Sequence, residues 1–216
     1  MTQTVLALDI LPDLDEPTVT LVRLAGAVAA GSERQMRRAI AEAVAIDPVW
    51  VEELILQSYL FAGFPRTLNA MREWRKVSGR PAPEHDDRAR AELNAAQWRA
   101  DGERTCAAVY GEMYERLREN IAQLHPALDS WMVVDGYGKV LSRPGLDLVR
   151  RELCIVAVCA VAKQDRQLQS HLHGALNVGA TAGQLVGTLV AVSDMLGEEV
   201  LRRSLAMFNK VYGKQG

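Results

Sequence analysis

The chain has 216 residues, enough for one substantial domain or two small ones. Hydrophobic residues at 49% and charged residues at 24% describe a globular protein, and a net charge of −2 leaves no broad electrostatic footprint for nucleic acid. Three cysteines, Cys106, Cys154 and Cys159, with no CxxC spacing argue against a disulfide framework and for a reducing cytoplasm.

The opening segment MTQTVLALDILPDLDEP lacks the basic and apolar regions of a secretory leader. Small apolar residues over 21–31 predict a closely packed helix. Ser32 then stands as N-cap for the next one. Asp47-Pro48 opens a third, since Asp caps well and Pro suits the first turn. That helix stops at Gly63, and Phe64-Pro65 opens its successor. The polar, Pro-rich stretch 78–87 is the best linker candidate. Two strongly helical segments follow. Residues 125–147, rich in Pro and Gly, read as a short helix and then an irregular loop.

Asp147 can cap a helix whose run LCIVAVCAVA is apolar all round, which predicts burial; the run is too short to cross a bilayer. A turn near 163–165 leads to RQLQSHLHGALNVG. Thr181 caps a further helix and Gly197 precedes the last. Strand alternation is missing, so the fold class is all-α, a bundle of short helices. An offset of 134 residues aligns Asp47 with Thr181 and Gly63 with Gly197. This hints at two degenerate tandem repeats. The expected units are residues 1–78, a linker and connecting helix over 79–104, and residues 105–216.

Few residues offer chemistry. Glu152, at the head of the apolar helix, reads either as a first-turn acid favouring the helix dipole or as a carboxylate at the mouth of a dry pocket. His171 shares a stripe with Leu168, Ala175 and Val178, so it points inward, while His173 lies on another face. An inward histidine is either a satisfied core residue or a proton-transfer group. The two histidines lack the i, i+4 spacing of metal ligands, so no metal is expected. DGYGKV follows no strand and reads as a turn rather than a dinucleotide fingerprint. The aromatic and Met positions read as core.

The segment YGKVLSRPGLDLVRRELCIVAVCAVAKQDRQLQSHLHGALNVGAT resembles the carboxymuconolactone decarboxylase family. The matching features are the RPGLD loop, Arg151-Glu152 at the head of the apolar helix, and His171, Ala175 and Gly179 in an HxxxAxxxG pattern. EELILQSYLFAGFPRTLNAM (52–71) resembles the family's other signature, with Glu53, Gln57 and FAGFP. The two signatures stand in reversed order, as though each repeat kept a different one.

The resemblance implies an alkylhydroperoxidase-D-like helical bundle. Gln164 and Gln167 occupy the positions of that superfamily's redox cysteines, so thiol peroxidase chemistry is not expected. It further implies cofactor-free decarboxylation of a small carboxylated lactone such as 4-carboxymuconolactone. His171 would be the acid or enolate donor and Glu152 its partner. Arg151, or Arg166 at a helix N-terminus, would hold a substrate carboxylate. A homo-oligomer is implied, a trimer or hexamer, in which one chain replaces two subunits. The alternative is a non-catalytic ligand-binding or assembly protein on the same fold. A straight helical hairpin would leave Glu152 and His171 offset along its axis.

Overall fold

The computed structural model describes residues 10–213, with the side chain of Leu93 left aside. Most of the segment read for a secretory leader therefore lies outside the described residues. The described chain is helical without strands. The elements are α1 (Glu16–Ala30), α2 (Glu33–Glu42), α3 (Pro48–Ser78), α4 (Ala91–Tyr110), α5 (Tyr114–Leu124) and α6 (Pro126–Trp131). A π-helix over Met132–Leu141 follows, then α7 (Leu148–Val161), α8 (Asp165–Asn177), α9 (Ala182–Ala191), α10 (Ser193–Leu196) and α11 (Glu198–Tyr212). Among the described residues no helix is long and apolar enough to cross a membrane.

Capping chemistry sets the boundaries. Ser32 and Gln35 form a reciprocal capping box, as do Thr181 and Gln184. The side chains of Asp47 and Asp147 accept from the backbone N–H of Val49 and Arg150. Gly63 breaks α3 with φ 73 and ψ 166, and Gly197 separates α10 from α11 with φ 75 and ψ 159. An L side chain is strained at such angles. The two breaks therefore share one backbone solution 134 residues apart.

Helix α7 runs through the middle. Its residues 151–161 are all buried, and it packs against α1, α3, α8, α9 and α11. Residues from both halves of the chain join one hydrophobic core. Helix α4 runs unbroken across 104/105, where the sequence placed a boundary. Arg66, just after FAGFP, donates to the carbonyls of Ala27, Val28 and Gly31 at the end of α1. A cation there satisfies orphan acceptors and the helix dipole together.

One sequence expectation fails. Residues 132–141 form a π-helix, not an irregular loop, and DGYGKV lies within it. It crosses α4 where Gly138 meets Trp98 and Gly102 meets Val133; a Cβ at either glycine would overlap the other element's backbone. That crossing fixes Tyr137 against Tyr110.

Candidate active site

Glu152 lies in the first turns of α7 and is fully buried. His171 lies midway along α8 and is 7% exposed. Their side chains meet within one chain, with His171 Nδ1 2.8 Å from Glu152 Oε2. Glu152 is nine residues before the end of α7, about 14 Å along an ideal helix, and His171 is six past the start of α8, about 9 Å. The two side chains span the remaining offset. Gly174, one turn after His171, lets α8 settle over the pair. A Cβ there would stand 2.6 Å from Val109 Cγ1 and 3.0 Å from Glu152 Oε2.

Where Glu152 is the carboxylate, which only accepts, Nδ1 carries the hydrogen and Nε2 remains for other work. Among the described residues no group bonds Nε2. The second carboxylate oxygen, Glu152 Oε1, is buried with no hydrogen-bond partner among the described residues. His171 lines a pocket of about 580 Å³. Its walls are mostly apolar, with Leu60, Phe61, Leu117, Leu128, Trp131 and Leu141 among them. The polar lining comes from Tyr59, Tyr110, Tyr137, Asp135, Gln167 and Ser170.

Tyr110 and Tyr137 were read as core in the sequence, yet both face this pocket. The Tyr137 hydroxyl donates to the Tyr110 hydroxyl at 3.2 Å, which leaves the Tyr110 proton for a bound molecule. The Tyr110 ring lies 6.4 Å from the His171 ring, centroid to centroid. Burial drives both tyrosine hydroxyls well above their usual pKa, so they remain donors at any working pH. The sequence signal for Tyr110 is faint: an aromatic residue just before the Gly111 that ends its helix.

Arg151 does not point at a substrate. It is fully buried, and its donors go to Glu53 Oε2 (2.8 Å), Gln57 Oε1 (3.2 Å), and the carbonyls of Leu146 and Arg143 (3.0 Å each). Arg143 also pairs with Glu53 and Asp86. The two sequence signatures thus face each other: Glu53 and Gln57 of α3 clamp Arg151 and the RPG loop at the head of α7. Burial lowers the pKa of the Arg151 guanidinium, while Glu53 opposes that shift. Its place is structural, correcting the expectation that it holds a substrate carboxylate.

Arg166 is exposed on α8 and lines an adjoining recess of about 670 Å³ with Asn120, Gln169, His173 and Asn177. The recess shares Tyr110, Leu117 and Ser170 with the His171 pocket. All three cysteines are buried and free. Burial pushes the thiols of Cys106 and Cys159 up to about 12, and that of Cys154 higher still.

Residues 126–210 match the model of the Carboxymuconolactone decarboxylase family. Over 137 residues the chain is 31% identical to Peroxisomal protein 2 of Schizosaccharomyces pombe, an alignment covering 63% of this chain. The chain spans 63% of that relative's length. The matched family segment contains Tyr137, Glu152, Arg166 and His171, whereas Glu53 and Tyr110 lie before it.

Proposed function

We propose that this chain, whose residues 126–210 match the model of the carboxymuconolactone decarboxylase family, is a cofactor-free acid–base enzyme, a lyase of the decarboxylase type, acting on a small molecule bound over His171. The observation that carries the reading is the 2.8 Å contact between His171 Nδ1 and buried Glu152 on the floor of an apolar pocket. A satisfied core histidine would support the binding-protein alternative. Here the ring borders the pocket, which favours catalysis.

The chemistry on a carboxylated lactone balances without a cofactor. The C–CO₂ bond breaks, carbon dioxide leaves, and the electron pair moves into the conjugated carbonyl as an enolate. The Tyr110 hydroxyl is placed to donate to that oxygen. Protonated His171 then delivers the proton from Nε2 to carbon, and Glu152 holds the ring and stabilises the imidazolium. Exclusion of water by the apolar walls strengthens both interactions. The buried free thiols suit a reducing compartment, and the cytoplasm is our reading.

The test is the ultraviolet spectrum of 4-carboxymuconolactone mixed with wild-type protein and with His171→Asn. The wild type should consume it, and the variant should be slower by at least about a hundredfold. No consumption by folded wild type removes this substrate. Consumption indifferent to His171 removes the mechanism.

A further inference from the structure

Two groups in the His171 pocket are unspent while the ring is neutral. His171 Nε2 has no partner among the described residues, and with Nδ1 donating to Glu152 it presents a lone pair. The Tyr110 hydroxyl accepts from Tyr137, so its own proton is free. The Tyr110 and His171 rings lie 6.4 Å apart, so a base and an oxyanion donor border one small volume. The rest of the lining favours an uncharged guest. Among its described residues none is Arg or Lys, and Asp135 is acidic. Beside a neutral His171, an anion would lose hydration without gaining a cation. An apolar ring gains from the same walls. Decarboxylation of an unsaturated lactone reaches a dienolate by losing carbon dioxide. A neutral lactone with its double bond β,γ to the carbonyl reaches the same kind of dienolate by losing a proton from the α carbon.

We propose a further activity for this pocket: isomerisation of neutral β,γ-unsaturated lactones to their conjugated α,β isomers. It rests on the acid–base reading of His171 and needs no carboxylate on the substrate. Neutral His171 takes a proton from the α carbon through Nε2. The C–H electron pair becomes a double bond to the carbonyl carbon, and the carbonyl π pair moves to oxygen, where the Tyr110 hydroxyl donates. The carbonyl then re-forms, the new double bond shifts to join the α and β carbons, and the γ carbon takes the proton back from His171. Proton and electrons balance with no oxidant, reductant or cofactor. Charge exists only as an adjacent pair, dienolate against imidazolium, and Glu152 steadies the cation. The two reactions use one ring in opposite states. Decarboxylation ends with protonated His171 as acid, and isomerisation begins with neutral His171 as base.

The probe is α-angelica lactone, a methyl-substituted β,γ-unsaturated lactone without a carboxylate, and its conversion to β-angelica lactone is followed by proton NMR at neutral pH. Wild type should convert it with a rate constant at least about a hundredfold above that in protein-free buffer. His171→Asn should lose at least about a hundredfold, by removing the base. Tyr110→Phe should lose about a hundredfold, by removing the oxyanion donor. Circular dichroism checks that each variant is folded. Tyr110→Phe keeps its ring and its packing, so it preserves the test should loss of the His171–Glu152 contact unfold the other variant. No conversion above buffer by folded wild type would overturn the proposal, as would conversion indifferent to either folded variant. The two activities fail separately. Conversion that depends on His171, with 4-carboxymuconolactone untouched, keeps the isomerase and ends the decarboxylation. Consumption of 4-carboxymuconolactone with no conversion of α-angelica lactone does the reverse.

Discussion

Burying Glu152 with only one oxygen bonded carries a cost. Its unpaired Oε1 represents about 1–3 kcal/mol, and more if the group is charged. A residue serving only the helix dipole would sit at the surface, where both oxygens are hydrated. The cysteines bear on the rival chemistry. Disulfide exchange needs a thiolate, and thiols pushed to about 12 by burial supply almost none near neutrality. Native protein at pH 8 should therefore resist Ellman's reagent for minutes and release three equivalents once unfolded. Rapid labelling of the folded chain would reopen the peroxidase reading. Glu152 and His171 could be read from the sequence because their types and spacing match a motif. Tyr110 and Tyr137 could not, because an aromatic side chain facing a cavity looks the same in sequence as one facing the core. Arg151 misled for a related reason. A guanidinium suits any carboxylate, and only the fold shows that Glu53 has already taken it.

At the level of elements, the breaks were legible wherever the backbone itself demanded a residue type. Capping residues and the glycines at positions 63 and 197 announce helix ends through local hydrogen bonding and positive φ. The π-helix over Met132–Leu141 gives no such notice. Its pitch follows from the close crossing with α4, a tertiary constraint, and its glycines look like turn residues until that crossing is known. Elements far apart in sequence are joined by the Glu53–Arg151–Arg143 cluster, which ties α3 to the head of α7. Removing one partner of a buried ion pair strands the other charge and costs about 3–5 kcal/mol. Glu53→Ala should lower unfolding stability in urea by that amount and also reduce turnover, because the start of α7 carries Glu152. A change under about 1 kcal/mol would mean the cluster is not a clamp.

On the scale of the whole molecule, the N-terminal and C-terminal halves share one core and both line one pocket. The positions 134 residues before Glu152 and His171 hold Thr18 and Arg37, which cannot form the same pair. The N-terminal half instead contributes Tyr59, Leu60 and Phe61 to the pocket lining. Each half therefore supplies part of the pocket lining. The lining also bears on assembly. Among the pocket's lining residues, Phe61 is 37% exposed, Leu128 47% and Trp131 60%, and Phe64, stacked on the lining residue Tyr59, is 65% exposed. Large apolar side chains exposed around one pocket are costly to leave in water and typical of a surface that another chain covers. If one chain replaces two subunits of the ring that the family resemblance implies, three copies close it. Light scattering after size exclusion should give a mass three times the 23.8 kDa chain, or six times if two rings pair. Trp131→Glu, which places a charge in the patch without touching the core, should shift that mass towards the single chain. A wild-type monomer would end the ring reading. A trimer insensitive to Trp131→Glu would move the interface to another face and leave the pocket mouth open to substrate.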